Sequence, residues 1–175
     1  IKNKYKNEKL KTLYIGGGTP SLSEPETIKE IISFFNPDSN AEITLEANPE
    51  TVTDSKFKDY KSLGVNRISL GVQTFNNNLL KIIGRNHSKK EILQAVSTIK
   101  NAGFKNISID LIYGLPNQTT EDFIQDINHA IALNTQHIST YGLKIDKGSF
   151  FFKNMPDKIP DDDTQAQMYL KLCEI

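Results

Sequence analysis

The sequence predicts an α/β fold, a partial and open β/α barrel with parallel strands, and three observations carry this prediction. Short apolar or β-branched segments alternate with amphipathic helical segments, which is typical of a parallel sheet with right-handed crossovers. Each central strand has one apolar face and one face of small or polar side chains. Polar residues also gather toward the carboxyl ends of the strands, where β/α barrels keep their sites.

The first strand is predicted over residues 12–15, where a β-branched and aromatic run stops at three glycines. The helix that follows is expected to begin with a capping box formed by Ser23 and Glu26, with Pro25 in its first turn. Its apolar residues then recur with helical spacing over residues 28–35. The second strand is predicted over residues 42–47.

Thr53 is expected to cap the next helix, with Val52 and Phe57 in the positions of a hydrophobic staple. Gly64 supplies the helix stop, and the third strand follows over residues 67–72. A second capping box, Ser88 with Glu91, predicts another helix.

The fourth strand is predicted over residues 106–112, a helix from Thr119 to residue 131, and the fifth strand over residues 137–141. The alternation stops after Tyr141. We therefore predict a barrel core over residues 1–145 and the truncated start of a C-terminal region over residues 146–175.

The faces of the central strands favour an open barrel. The apolar set is Ile43, Leu45, Ala47, Ile68, Leu70, Val72, Ile107, Ile109 and Leu111. The polar or small set is Thr44, Glu46, Ser69, Gly71, Gln73, Ser108 and Asp110. A sheet covered by helices on both sides would be apolar on both faces, and a closed eight-stranded barrel would be filled with branched apolar residues. Helices outside and a polar cavity inside fit this alternation.

Composition excludes several classes of protein. Lysine plus arginine equals aspartate plus glutamate at 21 each, so no basic field favours nucleic acid. No apolar run approaches the roughly 20 residues that cross a bilayer, so we expect no stable membrane insertion. A single cysteine, Cys173, allows no internal disulfide, which favours a cytoplasmic location. Cys173 is expected to be a core residue, and the three histidines lack the spacing of metal ligands.

Five features at or beyond the predicted strand ends carry candidate chemistry. The glycine turn at residues 16–18 allows close approach of a ligand, although a simple strand-to-helix turn remains an alternative. Glu46, at a strand end, suits a ribose diol or an amino group, and Gln73 would face the same cavity. The alternative for Glu46 is a surface or salt-bridged glutamate. Arg85 could pair with a ligand carboxylate, and the alternative is a solvated arginine at a helix end. Asp110 points inward and needs a partner or solvent.

Five motifs occur in order along the chain: YIGGGTPS at 14–21, TLEANP at 44–49, NRISLGVQ at 66–73, GRNH at 84–87 and IDLIYGLP at 109–116. Together they resemble the radical S-adenosylmethionine (SAM) core of the coproporphyrinogen dehydrogenase family, which includes oxygen-independent coproporphyrinogen III oxidases and HemW-like proteins. The resemblance extends from about residue 12 to residue 152. It implies the fold of a radical SAM core.

The resemblance implies roles at the amino-acid end of SAM. Gly17, Gly18 and Thr19 would bind that end through backbone groups and a hydroxyl. Glu46 would hold the ribose or the amino group. These roles are implied by the family and are expectations for this chain.

The resemblance also implies the remainder of the SAM pocket. Gln73, Arg85 and Asp110 would complete it around the ribose and the carboxylate. Lys144 stands where the family has a residue whose backbone meets the adenine. Because lysine is not typical there, only the backbone role carries over.

The family binds a [4Fe–4S] cluster through a Cys-x3-Cys-x2-Cys motif, and an electron from the cluster cleaves SAM to a 5′-deoxyadenosyl radical. This chain lacks the motif. We expect the motif to precede Ile1 in a longer protein, so that the chain alone binds SAM weakly or not at all and is inactive. No catalytic residue and no metal ligand is assigned.

Two branches of the family compete, so the enzymatic status is open. Segments 84–88, 137–141 and 147–150 look more like HemW-like haem chaperones, which bind haem and deliver it to an accepting protein. The alternative is the oxidase, which decarboxylates coproporphyrinogen III to protoporphyrinogen IX. A third hypothesis is a plain β/α scaffold with a phosphate-binding glycine turn.

Overall fold

The computed structural model describes residues 9–175 and contains one five-stranded sheet. Its strands are β1 (Thr12–Ile15), β2 (Glu42–Ala47), β3 (Arg67–Gln73), β4 (Asn106–Tyr113) and β5 (His137–Gly142). All neighbouring pairs are parallel and the spatial order is the order in sequence. Each connection therefore advances by one strand in the same direction, as in a β/α barrel. With β1 and β5 at its two edges, the sheet is open, and the predicted partial β/α barrel is confirmed.

Seven α-helices connect or follow the strands in the described part of the chain. They are α1 (Pro25–Phe35), α2 (Asp54–Ser62), α3 (Asn77–Ile82), α4 (Lys89–Asn101), α5 (Thr120–Ala132), α6 (Phe150–Lys153) and α7 (Asp162–Glu174). Two short 3-10 turns, Pro20–Leu22 and Pro49–Thr51, follow β1 and β2.

Local capping chemistry sets most of the helix starts. Ser88 accepts from the Glu91 backbone and closes a complete capping box at α4, as predicted. Thr119 begins α5 in the same way. The capping box predicted for α1 is wrong. Ser23 ends the preceding 3-10 turn, so α1 begins after Glu24, without a side-chain cap.

Thr53 precedes α2 as predicted, but its side chain makes no capping hydrogen bond. The sequence pattern missed α3 altogether. This six-residue helix is too short for a strong periodic signal, and it begins where the Asn76 side chain accepts from Asn78 N and Leu79 N. It matters to the site because it leads the chain from β3 to Gly84 and Arg85.

The hydrophobic core lies between the helices and the apolar face of the sheet. Ile68 and Leu70 of β3 are fully buried and belong to one cluster with Phe57 of α2 and Ile92 of α4. Burial of such side chains stabilises the fold by about 1.5–3 kcal/mol each. Because this face holds the helices, the opposite face of the strands is left to form a cavity.

Side-chain amides fix the starts of two strands. Asn66 Oδ1 accepts from Ile43 N at 2.8 Å, and Asn66 Nδ2 donates to Ala41 O at 2.8 Å. Gln136 Oε1 accepts from Ile107 N at 3.1 Å in the same manner. Each amide precedes one strand and pins the start of its neighbour, which holds the parallel register.

The segment after β5 returns to the barrel. Met168 of α7 is fully buried in the common core, and α7 packs against α5 and β4. Cys173 is exposed, so the expectation that it is a core residue is wrong: it lies near the end of α7 on a side that the core does not cover. None of the helices within residues 9–175 is both long and apolar enough to cross a membrane.

Candidate functional site

A polar cavity of about 220 Å³ opens at the carboxyl ends of the strands. Its walls come from β1 to β5 and from the loops that follow β1, β2 and α3. The lining residues are Tyr14, Gly18, Thr19, Pro20, Glu46, Ala47, Asn48, Ser69, Gly71, Gln73, Arg85, Asp110 and Tyr141. The polar strand faces thus line a shared space, while the apolar faces pack against the helices.

Both carboxylate oxygens of Glu46 are held by the glycine-turn region. Tyr14 donates its hydroxyl to Oε1 at 2.8 Å, and Gly17 donates its N–H to Oε2 at 3.1 Å. Burial, and then the hydrogen bond to Glu46, raise the pKa of Tyr14 to about 12, so the phenol is a donor at neutral pH. A Cβ at Gly16 would stand 3.0 Å from the Glu46 carboxylate, and glycine is needed there for this approach.

A chain of side-chain hydrogen bonds links the first two loops to Arg85. Asn48 Nδ2 donates to Thr19 Oγ1 at 3.1 Å, and Arg85 donates from a guanidinium nitrogen to Asn48 Oδ1 at 3.1 Å. The contact holds the guanidinium against the cavity wall. Gly71 lies beneath it, where a Cβ would stand 2.9 Å from Asn48 Oδ1.

Gln73 reaches the cavity through an irregularity at the end of β3. The register with β4 shifts between Gly71 and Gln73, as in a β-bulge, and Gln73 has a φ of 69°. A left-handed conformation is uncommon for a residue other than glycine and is found where surrounding contacts enforce it. The bulge therefore turns the side chain of Gln73, the last residue of β3, toward the cavity.

Asp110 lies at the floor of the cavity among serines. Ser69 donates to Oδ2 at 2.7 Å and Ser108 to Oδ1 at 3.3 Å. Burial raises the pKa of Asp110, and the hydrogen bonds from the serines and the charge of Arg67 oppose that rise. Ser108 also lies 2.9 Å from His137 Nδ1. The inward carboxyl thus has the partners that its burial requires.

Six of the eight residues assigned from sequence line this cavity, and they are Gly18, Thr19, Glu46, Gln73, Arg85 and Asp110. Gly17 lies beside it and contacts Glu46. Lys144 lies apart, on a second cavity of about 550 Å³ with Ile82 and Phe150, and its ammonium is 3.3 Å from the Asp146 carboxylate.

Sequence reasoning missed four polar lining residues as site candidates: Tyr14, Asn48, Ser69 and Tyr141. Ser69 was placed on the polar strand face, so alternation could have assigned it. Asn48 stands two residues beyond Glu46 in the same motif, which was a usable signal. Nothing in the local sequence joins Tyr14 to Glu46, because that contact depends on the pairing of β1 with β2.

The cavity combines two carboxyl groups, one guanidinium, hydroxyls and a glycine turn. Such a set can hold a zwitterionic ligand with hydroxyl groups, since carboxylates accept from ammonium and hydroxyl donors and arginine pairs with a carboxylate. Within residues 9–175, no three His, Cys, Asp or Glu side chains come together as metal ligands. The carboxyl, guanidinium and hydroxyl groups on the cavity wall favour an organic ligand.

Comparison with known proteins decides the family. The sequence model of the Radical SAM superfamily matches residues 1–130. The chain belongs to the Radical SAM superfamily. The resemblance carried by the five motifs is confirmed, and the cavity described above lies in the radical SAM fold at the strand ends.

Curated relatives are similar over most of this radical SAM chain. The haem chaperone HemW of Haemophilus influenzae is 45% identical over 167 residues, which cover 93% of this chain and 43% of the relative. HemW of Bacillus subtilis is 39% identical over 168 residues, which cover 91% of this chain and 44% of the relative. The chain spans less than half the length of these relatives.

Solved structures agree on the fold. Coproporphyrinogen III oxidase (HemN) from Escherichia coli, described as a radical SAM enzyme, superposes with a TM-score of 0.84 at 25% identity, covering 95% of this chain and 40% of that one. Elp3 from Methanocaldococcus infernus superposes with a TM-score of 0.76 at 20% identity, covering 90% of this chain and 43% of that one. This likeness shows the fold alone.

Proposed function

We propose that this chain forms the SAM-binding wall of a HemW-like haem chaperone. The observation that carries the proposal is the convergence of Glu46, Gln73, Arg85 and Asp110 on one cavity at the strand ends. Family membership supplies the ligand class, and the names of the relatives supply the link to haem. A cytoplasmic location fits this function.

The groups on the cavity wall match the groups of SAM. Its ammonium and ribose hydroxyls are donors, and the two carboxyls of Glu46 and Asp110 can accept from them. Its carboxylate can pair with Arg85. Gly18 and Thr19 line the wall beside this arginine, whereas the N–H of Gly17 acts on the ligand through Glu46.

Gln73 completes the ribose side of the proposed pocket. Lys144, which follows the end of β5, keeps only the backbone contact to adenine that the family implies. Its side chain has its own partner in Asp146. When bound, SAM would supply the sulfonium whose cleavage gives this superfamily its radical, and the residues of this chain would bind and orient it.

The residues present do not fit an iron–sulfur cluster. Such a cluster is held by several cysteine thiolates, whereas the chain has one cysteine, and Cys173 is exposed on α7, away from the cavity lining. A cluster would need ligands that these 175 residues do not supply.

The test of SAM binding uses the intact gene product that contains this chain, reconstituted anaerobically with iron and sulfide. Glu46→Gln removes a carboxylate from the cavity, and Glu42→Gln removes one from the other end of the same strand. We expect SAM affinity to fall about tenfold or more in Glu46→Gln, as loss of a charged hydrogen bond implies, and to be unchanged in Glu42→Gln. Equal affinity in both variants would contradict the assignment.

The haem chaperone and the oxidase are separated by a product assay. The sequence comparison favours the chaperone, since HemW relatives reach 45% identity and the oxidase structure 25%. We expect the intact protein to bind haem, seen as a Soret band, and to leave coproporphyrinogen III unconverted. Formation of protoporphyrinogen IX would instead establish the oxidase. If the intact protein bound neither SAM nor haem, only the hypothesis of a β/α scaffold would remain.

A further inference from the structure

His87 connects three segments that each carry a wall of the cavity. Its side chain is fully buried. Nδ1 lies 2.9 Å from Glu50 Oε2, and Nε2 lies 3.4 Å from the Val72 carbonyl oxygen. Glu50 follows Asn48 by two residues, Val72 precedes Gln73, and His87 follows Arg85 by two residues. One imidazole thus touches the neighbours of three cavity side chains.

The partners of the ring determine which of its nitrogens donate. A backbone carbonyl can only accept a hydrogen bond, and an ionised carboxylate can only accept as well. The Val72 carbonyl therefore requires a proton on Nε2, while Nδ1 faces the Glu50 carboxyl group. The buried ring is held between these two groups.

The contact between His87 and the Val72 carbonyl lies at a strained part of the backbone. The Val72 carbonyl also accepts from Thr74 N at 2.9 Å, which closes a tight turn around Gln73 with its left-handed φ of 69°. A residue other than glycine keeps such a conformation only when its surroundings over-determine it. The Nε2–H of His87 is a contact from outside β3 that holds this turn.

We propose that His87 is a positioning residue: it holds the Gln73 turn, and through its chain neighbours it holds Asn48 and Arg85 in the geometry that the ligand needs. The proposal rests on the proposed function, because SAM is the ligand whose binding would report the positioning. His87 itself does not line the cavity, so it acts on the ligand only through these neighbours.

The first test is spectroscopic and does not depend on any ligand. Histidine-selective ¹⁵N labelling of the intact protein, assigned with His87→Phe, reports the protonation of each ring nitrogen. We expect Nε2 of His87 to carry a proton in the wild type and to keep it in Glu50→Gln, because the Val72 carbonyl can only accept a hydrogen bond. An unprotonated Nε2 in the wild type would overturn the proposal, because the Val72 carbonyl would then have no donor in the ring.

The second test compares SAM affinity with stability. His87→Phe keeps a buried ring and removes both ring nitrogens. His129→Phe is the control: it replaces a half-buried imidazole on α5, outside the cavity, whose Nε2 accepts from the Lys89 ammonium and whose ring contacts Phe75. We expect affinity to fall about tenfold or more for His87→Phe, as for other supporting residues behind a binding site, and to be unchanged for His129→Phe at a similar melting temperature. Equal affinities would overturn the positioning role.

These outcomes separate the two proposals. If the wild type binds SAM and His87→Phe binds it equally, the positioning role fails and the proposed function stands. If the wild type binds no SAM after reconstitution, the proposed function fails and the positioning role fails with it. Should His87→Phe not fold, His87→Gln assigns the His87 resonances instead, and the ¹⁵N spectra of the wild type and of Glu50→Gln still decide the geometry.

Discussion

Removal of the buried carboxyl of Asp126 should change how stability depends on pH. Asp126 of α5 is only 2% exposed, and it accepts from Phe75 N at 2.7 Å, where it anchors the loop that follows Gln73. Burial raises the pKa of Asp126 from the ordinary 3.8 to about 6, against the hydrogen bonds that it accepts from Phe75 and Thr74. Between these two values the folded protein binds more protons than the unfolded chain, so this group's contribution to stability falls as pH rises.

The size of the effect follows from the two pKa values. One pKa unit corresponds to about 1.4 kcal/mol, and summing over the titration gives a loss of about 2 kcal/mol between about pH 4.5 and about pH 7.5. Asp126→Asn keeps an oxygen for Phe75 N and cannot titrate. The free energy of unfolding of both proteins is measured with urea across this range. The wild type should gain about 2 kcal/mol relative to Asp126→Asn as the pH falls from about 7.5 to about 4.5.

Asp59→Asn, on the exposed side of α2, is the control for loss of an aspartate charge. It should leave the pH dependence of the wild type unchanged. Parallel curves for the wild type and Asp126→Asn would refute the argument that burial controls the pKa of Asp126.

Three further substitutions test the cavity and the fold separately. Gly71→Ala would place a Cβ 2.9 Å from both Asn48 Oδ1 and Gln73 Nε2, so SAM affinity should fall about tenfold by isothermal titration with little change in melting temperature; retained affinity would contradict the cavity assignment. Gly103→Ala, at a φ of 92°, should cost about 1–2 kcal/mol in urea unfolding and leave SAM binding intact. Asn66→Ala leaves two backbone groups at the start of β2 without their hydrogen-bond partner and should lower the free energy of unfolding by about 2 kcal/mol in the same assay. A decrease below about 0.5 kcal/mol would mean that water replaces the amide.

Features that depend on short-range chemistry could be predicted from the sequence. The capping box at Ser88 is set within four residues, and it was correct. Strand alternation has a period of two whatever the tertiary structure, so it correctly directed Glu46 and Asp110 away from the helices. The five motifs added the family, which alternation alone cannot supply.

Features that depend on distant contacts could not be predicted. Helix α3 was missed because six residues carry little periodicity, and its packing through Leu79 and Leu80 is tertiary. The bulge at Gln73 depends on pairing with β4 and on the His87 contact. The hydrogen bond from Tyr14 to Glu46 depends on the register between β1 and β2. Each of these shapes the cavity, and each joins residues that are far apart in sequence.

The one-step order of the strands has a consequence for how the protein opens. Because every strand pairs with the strand next to it in sequence, partial unfolding can begin at β1 or β5 without disturbing the middle of the sheet. β3 is hydrogen-bonded to β2 along one edge and to β4 along the other, so its amide protons should be the last to exchange with solvent. The left-handed turn at its end thus lies on the most durable strand, and fraying at either edge of the barrel need not release it.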